Sequence, residues 1–256
     1  MSTELQTDRR GPTLLMTLSG PATRNALSPQ VYAAGIETLN MAESNPDVSA
    51  VVLQGAGSHF CSGGDLTRLA HNRQHDIGLQ AEQIGAFHDW IEALRSFPKP
   101  VIAAIEGQVA GGGVALSLAC DLVVASESSR FTLAYGKLGL SPDGGTSWHL
   151  ARALGRNRAL ALLWGQGTHT GAEWAAMGLA HKVVPAGQAL NEALAWADEL
   201  ASMPAHTLAS VKELVNDAGH TDLPAHLQAE QRHFIVNLSR PEAGEAIAHF
   251  LGRRAP

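Results

Sequence analysis

Three consecutive glycines, Gly111-Gly112-Gly113, constrain this chain more than any other feature. An apolar run, Val101-Ile102-Ala103-Ala104-Ile105, comes before them, and Val114-Ala115-Leu116-Ser117-Leu118-Ala119 follows directly. This order reads as a buried strand, a glycine turn and a buried helix, the unit of an α/β fold. Glycine lets the backbone approach a ligand without side-chain obstruction. A helix starting there points unpaired N–H groups and its positive dipole end at whatever occupies the turn. A phosphate, a carboxylate or a developing oxyanion suits such a place. Close packing of helix on strand explains a single glycine turn equally well.

A second glycine turn adds to the first. Val48 to Leu53 is β-branched and apolar and reads as another buried strand. It ends in Gln54-Gly55-Ala56-Gly57, and then comes Phe60-Cys61-Ser62-Gly63-Gly64-Asp65-Leu66. Two such turns can each donate one backbone N–H to a single carbonyl oxygen, which stabilises an enolate or a tetrahedral intermediate.

Composition narrows the class. At 256 residues, one domain with a tail or lobe is expected rather than two full domains. The net charge is −6 and no Lys/Arg-rich block appears, so nucleic-acid binding lacks its electrostatic footprint. Cys61 and Cys120 are the only cysteines, which fits a reducing cytosol better than a disulfide scaffold. Met1 to Arg10 is polar and lacks the apolar core of a signal peptide. Glu106, Gln108 and Asp121 interrupt the most apolar stretch, Val101 to Ala125, and argue against a membrane span.

Along the chain, Thr13 to Ser19 reads as a strand, and Pro29 to Glu43 as a helix with Ser28 as its N-cap. Leu79 to Phe97 reads as a helix, and Asp121 to Ala125 and Arg130 to Leu133 as strands. Leu190, Leu194, Ala197 and Leu200 form one helical stripe; Leu208, Val211 and Val215 form another. Leu223 to Leu238 and Pro241 to Leu251 are further helical candidates. The expectation is an α/β core followed by a mainly helical C-terminal part, with a break near residues 185–205.

The chain resembles the crotonase superfamily, the enoyl-CoA hydratase/isomerase family. The resemblance rests on Arg24-Asn25-Ala26-Leu27, Phe60 to Leu66, Lys99 to Gly107, Ala110 to Gly113, Cys120-Asp121 and Leu138-Gly139-Leu140-Ser141-Pro142-Asp143-Gly144-Gly145. These segments keep the family's order and spacing from about Leu14 to Leu251. The resemblance implies a ββα superhelix core, here residues 1–195, and a C-terminal helical region, 196–256, that packs at trimer contacts. It implies an acyl-CoA substrate, a homotrimer or dimer of trimers in the cytoplasm, and coenzyme A as the substrate's handle rather than a separate cofactor.

By resemblance, the N–H groups of Gly64 and Gly112 form the oxyanion hole. Arg24 and the loop Ser62, Gly63, Gly64, Asp65 and Leu66 bind the CoA thioester; for Arg68, offsetting phosphate charge and lying on a solvated helix face are equally good readings. The hydratase pattern has one glutamate two residues after Gly113, where this chain has Ala115, and a second where it has Tyr135. An alanine transfers no proton, and a phenol is a poor base at neutral pH. Asp143 remains. Its position resembles the proton-shuttling acid of double-bond isomerases and the nucleophilic aspartate of 4-chlorobenzoyl-CoA dehalogenases. Asp before a helix is also a common N-cap. His88 matches a histidine of the dehalogenases, and Tyr135 stands where they have a tryptophan; an exposed helical histidine is the plainer reading of His88.

Other chemistries find less support. No base is identifiable beside Cys61, which reads as a small buried side chain. Gly145-Thr146-Ser147-Trp148-His149 is not a G-x-S-x-G elbow, and the glycine triplet lacks P-loop and Rossmann spacing. His71 and His75 have helical metal-ligand spacing but no evident third ligand, so no metal is expected. The leading expectation is an enoyl-CoA isomerase with Asp143 as its one acid/base. A hydratase, an aroyl-CoA displacement enzyme and a non-catalytic acyl-CoA binder are the alternatives.

Overall fold

A computed structural model describes residues 2–165 and 167–252. The chain begins with β1 (Glu4–Arg10), β2 (Thr13–Ser19), α1 (Pro29–Glu43), β3 (Ala50–Gly55) and β4 (His59–Cys61). Then come α2 (Leu66–His75), α3 (Ile77–Ser96), β5 (Val101–Ile105), β6 (Gln108–Ala110) and α4 (Gly112–Ala119). β7 (Leu122–Ser126), β8 (Arg130–Thr132), α5 (Thr146–Leu154), α6 (Arg156–Gly165), β9 (Thr168–Thr170), α7 (Gly171–Ala176), β10 (Lys182–Val184) and α8 (Ala189–Ala201) follow. The last helices are α9 (Ala205–Asp217), α10 (Leu223–Leu238) and α11 (Pro241–Gly252).

The strands form two sheets. One has the order β1-β2-β3-β5-β7-β10 and the other β4-β6-β8-β9. Successive turns of the chain place one strand in each sheet before a helix: β3 and β4, then β5 and β6, then β7 and β8. This is the ββα superhelix. The central strands are parallel and buried on both faces, which explains their unbroken apolar runs. Their alternation still sorts the faces. Val51, Leu53, Val101, Ala103 and Ile105 enter the main core, whereas Ala50, Val52, Ile102 and Ala104 face α8. Ala189, Ala193 and Ala197, one turn apart, let α8 lie close on that second face.

Local signals explain the element ends. Ser28 caps α1 by accepting from the Val31 N–H, and Pro29 opens the helix. β1 is polar and exposed because it is an antiparallel edge strand, tied to β2 through Gly11 at φ 59.

The chain divides into two compact units, Met1–Leu200 and Ala201–Pro256. In the second, α9 contacts α10 and α10 contacts α11. Val211, Val215, Leu227, Phe234, Ile235, Ile247 and Phe250 on these helices are exposed. No helix among the described residues is long and apolar enough to cross a membrane.

Candidate active site

The two glycine turns converge. β4 pairs with β6, so the turns that follow these strands are neighbours. Gly63 has φ 84, and a Cβ added to it would stand 2.6 Å from Ala110 O and 3.1 Å from the Gly112 N. A Cβ on Gly113 would meet Cys61 O at 2.5 Å. Glycine is required at both places for backbone to approach backbone.

Hydrogen bonds fix the first turn. Ser62 N–H donates to Arg24 O at 3.0 Å and Leu27 N–H to Gly63 O at 2.8 Å. The Ser62 hydroxyl donates to Thr23 O. Arg24 and Asn25 both have positive φ, 54 and 57, a costly pair for residues with side chains. The buried Asn25 side chain offsets that cost. It accepts from Gly20 N–H and donates to Ala56 O and His59 O at 3.0 and 2.7 Å. Sequence reasoning quoted Asn25 as part of a motif but assigned it no task.

Among the described residues, neither the Gly64 N–H nor the Gly112 N–H donates a hydrogen bond. Gly112 is the first residue of α4, so its N–H is one of the unpaired donors of a helix start. The phenyl ring of Phe87 stands against both Gly112 and Gly144: Cβ atoms added there would be 3.4 and 2.5 Å from its Cε1. Phe87 thus brings the loop carrying Asp143 alongside the second glycine turn. Ala115, one turn into α4, faces Gly144, whose added Cβ would lie 2.7 Å from the alanine methyl.

Asp143 is not a helix cap. α5 begins at Thr146 behind Gly145, without a side-chain cap. It is the Asp143 carbonyl that accepts from Thr146 N–H. The Asp143 carboxylate accepts at Oδ1 from the Tyr135 hydroxyl at 2.7 Å. Its Oδ2 has no hydrogen bond among the described residues and is not a sealed atom. Burial pushes the Tyr135 phenol far above its ordinary value, and the Asp143 charge adds to the shift. Tyr135 therefore stays a donor and holds one carboxylate oxygen, while the other has no hydrogen bond among the described residues. His88, although exposed, accepts the Gly144 N–H at Nε2 at 3.2 Å, so that nitrogen is engaged.

The other expected contacts sit further out. Asp65 caps α2, accepting from Thr67 N–H at 2.8 Å and Arg68 N–H at 3.3 Å. Arg24 and Leu66 are exposed. Beside them a cleft of about 270 Å³ is lined by Thr23, Ala26, Leu27, Ser28, Asp65 and Arg68, with Ser2 and Thr3. Burial raises the Cys61 thiol to about 12, which leaves it a protonated core side chain. His71 and His75 stack at 4.3 Å. Among the described residues no group of three or more His, Cys, Asp or Glu is placed to hold a metal ion.

A family model, enoyl-CoA hydratase/isomerase, matches residues 9–256. The chain belongs to this family. It is similar to an enoyl-CoA hydratase of a Polaromonas species, with 48% identity, a TM-score of 0.95 and coverage of 99% of this chain and 98% of that one. It is 32% identical to the 1,2-epoxyphenylacetyl-CoA isomerase of Escherichia coli over 95% of this chain and 93% of the relative. It is 30% identical to the 2,3-dehydroadipyl-CoA hydratase of the same organism, over 99% and 97%. This family member is an acyl-CoA enzyme with the crotonase fold.

One neighbour of the site titrates. His149 lies about one turn into α5, beside Trp148, which lies under the guanidinium groups of Arg95 and Arg152 at 4.2 and 4.3 Å. Burial, then Arg95 and Arg152, lower the His149 pKa from 6.5 to about 4. The unfolded chain takes up this proton first as pH falls, so stability drops from about pH 6.5 toward about pH 4, by at most about 3 kcal/mol. Urea unfolding at about pH 7 and about pH 4.5 checks this. A His149→Gln variant that loses as much stability as the native protein over that interval would refute it.

Proposed function

We propose that this family member is an enoyl-CoA double-bond isomerase. The observation that carries the reading is the Asp143 carboxylate, held at one oxygen by Tyr135 and without a hydrogen bond at the other among the described residues. Phe87 brings its loop alongside the Gly111–Gly113 turn, and among the described residues the Gly64 and Gly112 N–H groups donate no hydrogen bond. The thioester oxygen accepts from Gly64 and Gly112 N–H. Asp143 Oδ2 removes a proton from the acyl chain, and the C–H electron pair moves into the chain as the carbonyl becomes an enolate. The same carboxylic acid returns the proton at the other end of the conjugated system, and the double bond shifts by one position.

One acid/base suffices for this exchange. Hydration needs a second group to position and activate water, and this chain has Ala115 and Tyr135 at the positions of the two hydratase glutamates. Aroyl-CoA displacement, with Asp143 as the nucleophile, would leave a covalent ester on it. Coenzyme A enters as part of the substrate, through the cleft between Thr23–Ser28 and Asp65–Arg68. Arg24, the exposed neighbour in sequence of the lining residue Thr23, would offset phosphate charge. The test is turnover of 3-enoyl-CoA and 2-enoyl-CoA followed by chromatography. Shift of the double bond without net addition of water supports the reading. Hydration of 2-enoyl-CoA with no isomerisation refutes it, as does an Asp143 adduct formed with an aroyl-CoA.

The same reading includes a homotrimer or dimer of trimers. The apolar side chains that α9, α10 and α11 leave exposed would be covered by neighbouring copies. Light scattering at micromolar concentration should give a mass of three or six chains; a monomer would overturn this.

A further inference from the structure

The peptide group that joins Asp143 to Gly144 is held at both ends. Its C=O accepts from the Thr146 N–H at 3.0 Å and from the Thr146 hydroxyl at 2.9 Å. Its N–H donates to Nε2 of His88, on α3, at 3.2 Å. The next two residues, Gly144 and Gly145, have φ 55 and 76, a left-handed pair with the wide backbone freedom of glycine. Such a segment keeps one conformation only through contacts from outside it. Successive residues of α3 supply two of these. The Phe87 Cε1 would lie 2.5 Å from a Cβ added to Gly144, and His88 takes the N–H. Packing on Phe87 limits where Gly144 can stand; the directional bond to His88 fixes which way the peptide points.

That direction bears on the carboxylate. Asp143 is tied at Oδ1, by the Tyr135 hydroxyl at 2.7 Å. A carboxylate pinned at a single oxygen can swing about that bond, so the placing of Oδ2 falls to the backbone. The torsion between the Asp143 Cα and the pinned peptide sets where its Cα–Cβ bond aims. His88 serves this geometry with the nitrogen that chemistry would need. An Nε2 that accepts carries no proton, so the ring proton of His88 is on Nδ1. With Nε2 spent on the loop, it cannot also take a proton from substrate or water.

We propose that His88 is a positioning residue: its bond to the Gly144 N–H aims Asp143 Oδ2 at the acyl chain, and His88 itself takes no part in proton transfer. The role is geometric, unlike the chemical one that the resemblance to the dehalogenases implies for this histidine. It rests on the reading of Asp143 as the acid/base.

The test is a double-mutant cycle on the turnover of 3-enoyl-CoA, with amide hydrogen exchange at Gly144 as a readout apart from catalysis. His88→Leu removes the acceptor at an exposed position, and His88→Gln restores an acceptor oxygen at about the reach of Nε2. His88→Leu should lower kcat by about 10- to 100-fold, the range between a lost hydrogen bond and a misplaced reacting group. KM should stay within about twofold, since ground-state binding is untouched. His88→Gln should recover kcat to within about threefold of native. Exchange at Gly144 should quicken at least about 10-fold in the leucine variant and stay slow in the glutamine variant. In an Asp143→Asn background, His88→Leu should cost less than about twofold more, because the carboxylate it aims is gone.

The same loss in both backgrounds would overturn the proposal, as a general structural role or a direct contact with substrate would give it. Failure of glutamine to recover turnover would overturn it too, since the imidazole itself would then act. So would unchanged exchange at Gly144 in His88→Leu. A leucine variant with native kcat, beside an impaired Asp143→Asn, would remove His88 and leave the acid/base reading standing. Native turnover by Asp143→Asn alone would instead overturn that reading, and this proposal with it.

Discussion

Replacing Asp143 with Asn should lower the turnover of 3-enoyl-CoA by at least about 100-fold, the lower end for acid–base catalysis. Affinity for a CoA thioester should change little. The structure makes this substitution informative. An asparagine oxygen still accepts the Tyr135 hydroxyl that now reaches Asp143 Oδ1 at 2.7 Å. The backbone contacts of the loop, from Thr146 N–H to residue 143 O and from Gly144 N–H to His88, do not involve the changed atoms. What disappears is a carboxylate oxygen able to take a proton from carbon. Steady-state kinetics with a parallel binding measurement check the result. A variant that isomerises at the native rate would remove Asp143 from the chemistry.

Gly112→Pro carries the second large effect. Proline deletes the N–H assigned to the enolate oxygen, and losing one such donor costs about 3–4 kcal/mol, or 100- to 1,000-fold in turnover. The first position of a helix tolerates proline, so α4 need not unravel. The local cost falls on Gly111, held at φ 50 and ψ −123, and on Leu27, whose Cδ1 lies 3.1 Å from an added Cβ. Gly112→Ala is the control: it meets the same leucine but keeps the N–H. The alanine variant should retain most of the turnover that the proline variant loses, with circular dichroism native in both. Equal activity of the two would show that the Gly112 N–H is not a donor to the enolate.

Much of this protein is legible one segment at a time. Val101 to Ile105 has the same bounds in the sequence pattern and in the structure, because a central parallel strand buried on both faces must be apolar throughout. α1 is equally plain, since its cap, its proline and its apolar spacing all lie within fifteen residues. β1 was read only as a polar start. An edge strand with exposed side chains carries no hydrophobic period, and its partner β2 supplies the missing hydrogen bonds. The stripe Leu190, Leu194, Ala197 and Leu200 marked a helix, but not that Ala189, Ala193 and Ala197 would pack it on the second face of the six-stranded sheet.

The sequence by itself determined the identity of the chemical groups: two glycine turns, one aspartate in a Pro-Asp-Gly-Gly segment, and no glutamate at Ala115 or Tyr135. It carried those because turns and strand ends are encoded by neighbouring residues. Only the tertiary structure decided how these groups are used. Asp143 had equal local credentials as a cap, and its release from that role depends on Gly145 opening α5 and on a hydroxyl eight residues upstream. Whether the Ser62–Gly64 and Gly111–Gly113 turns meet depends on β4 pairing with β6 and on the space that Gly63 leaves for Gly112. Burial and pairing are properties of contacts between distant segments, and no local pattern records them.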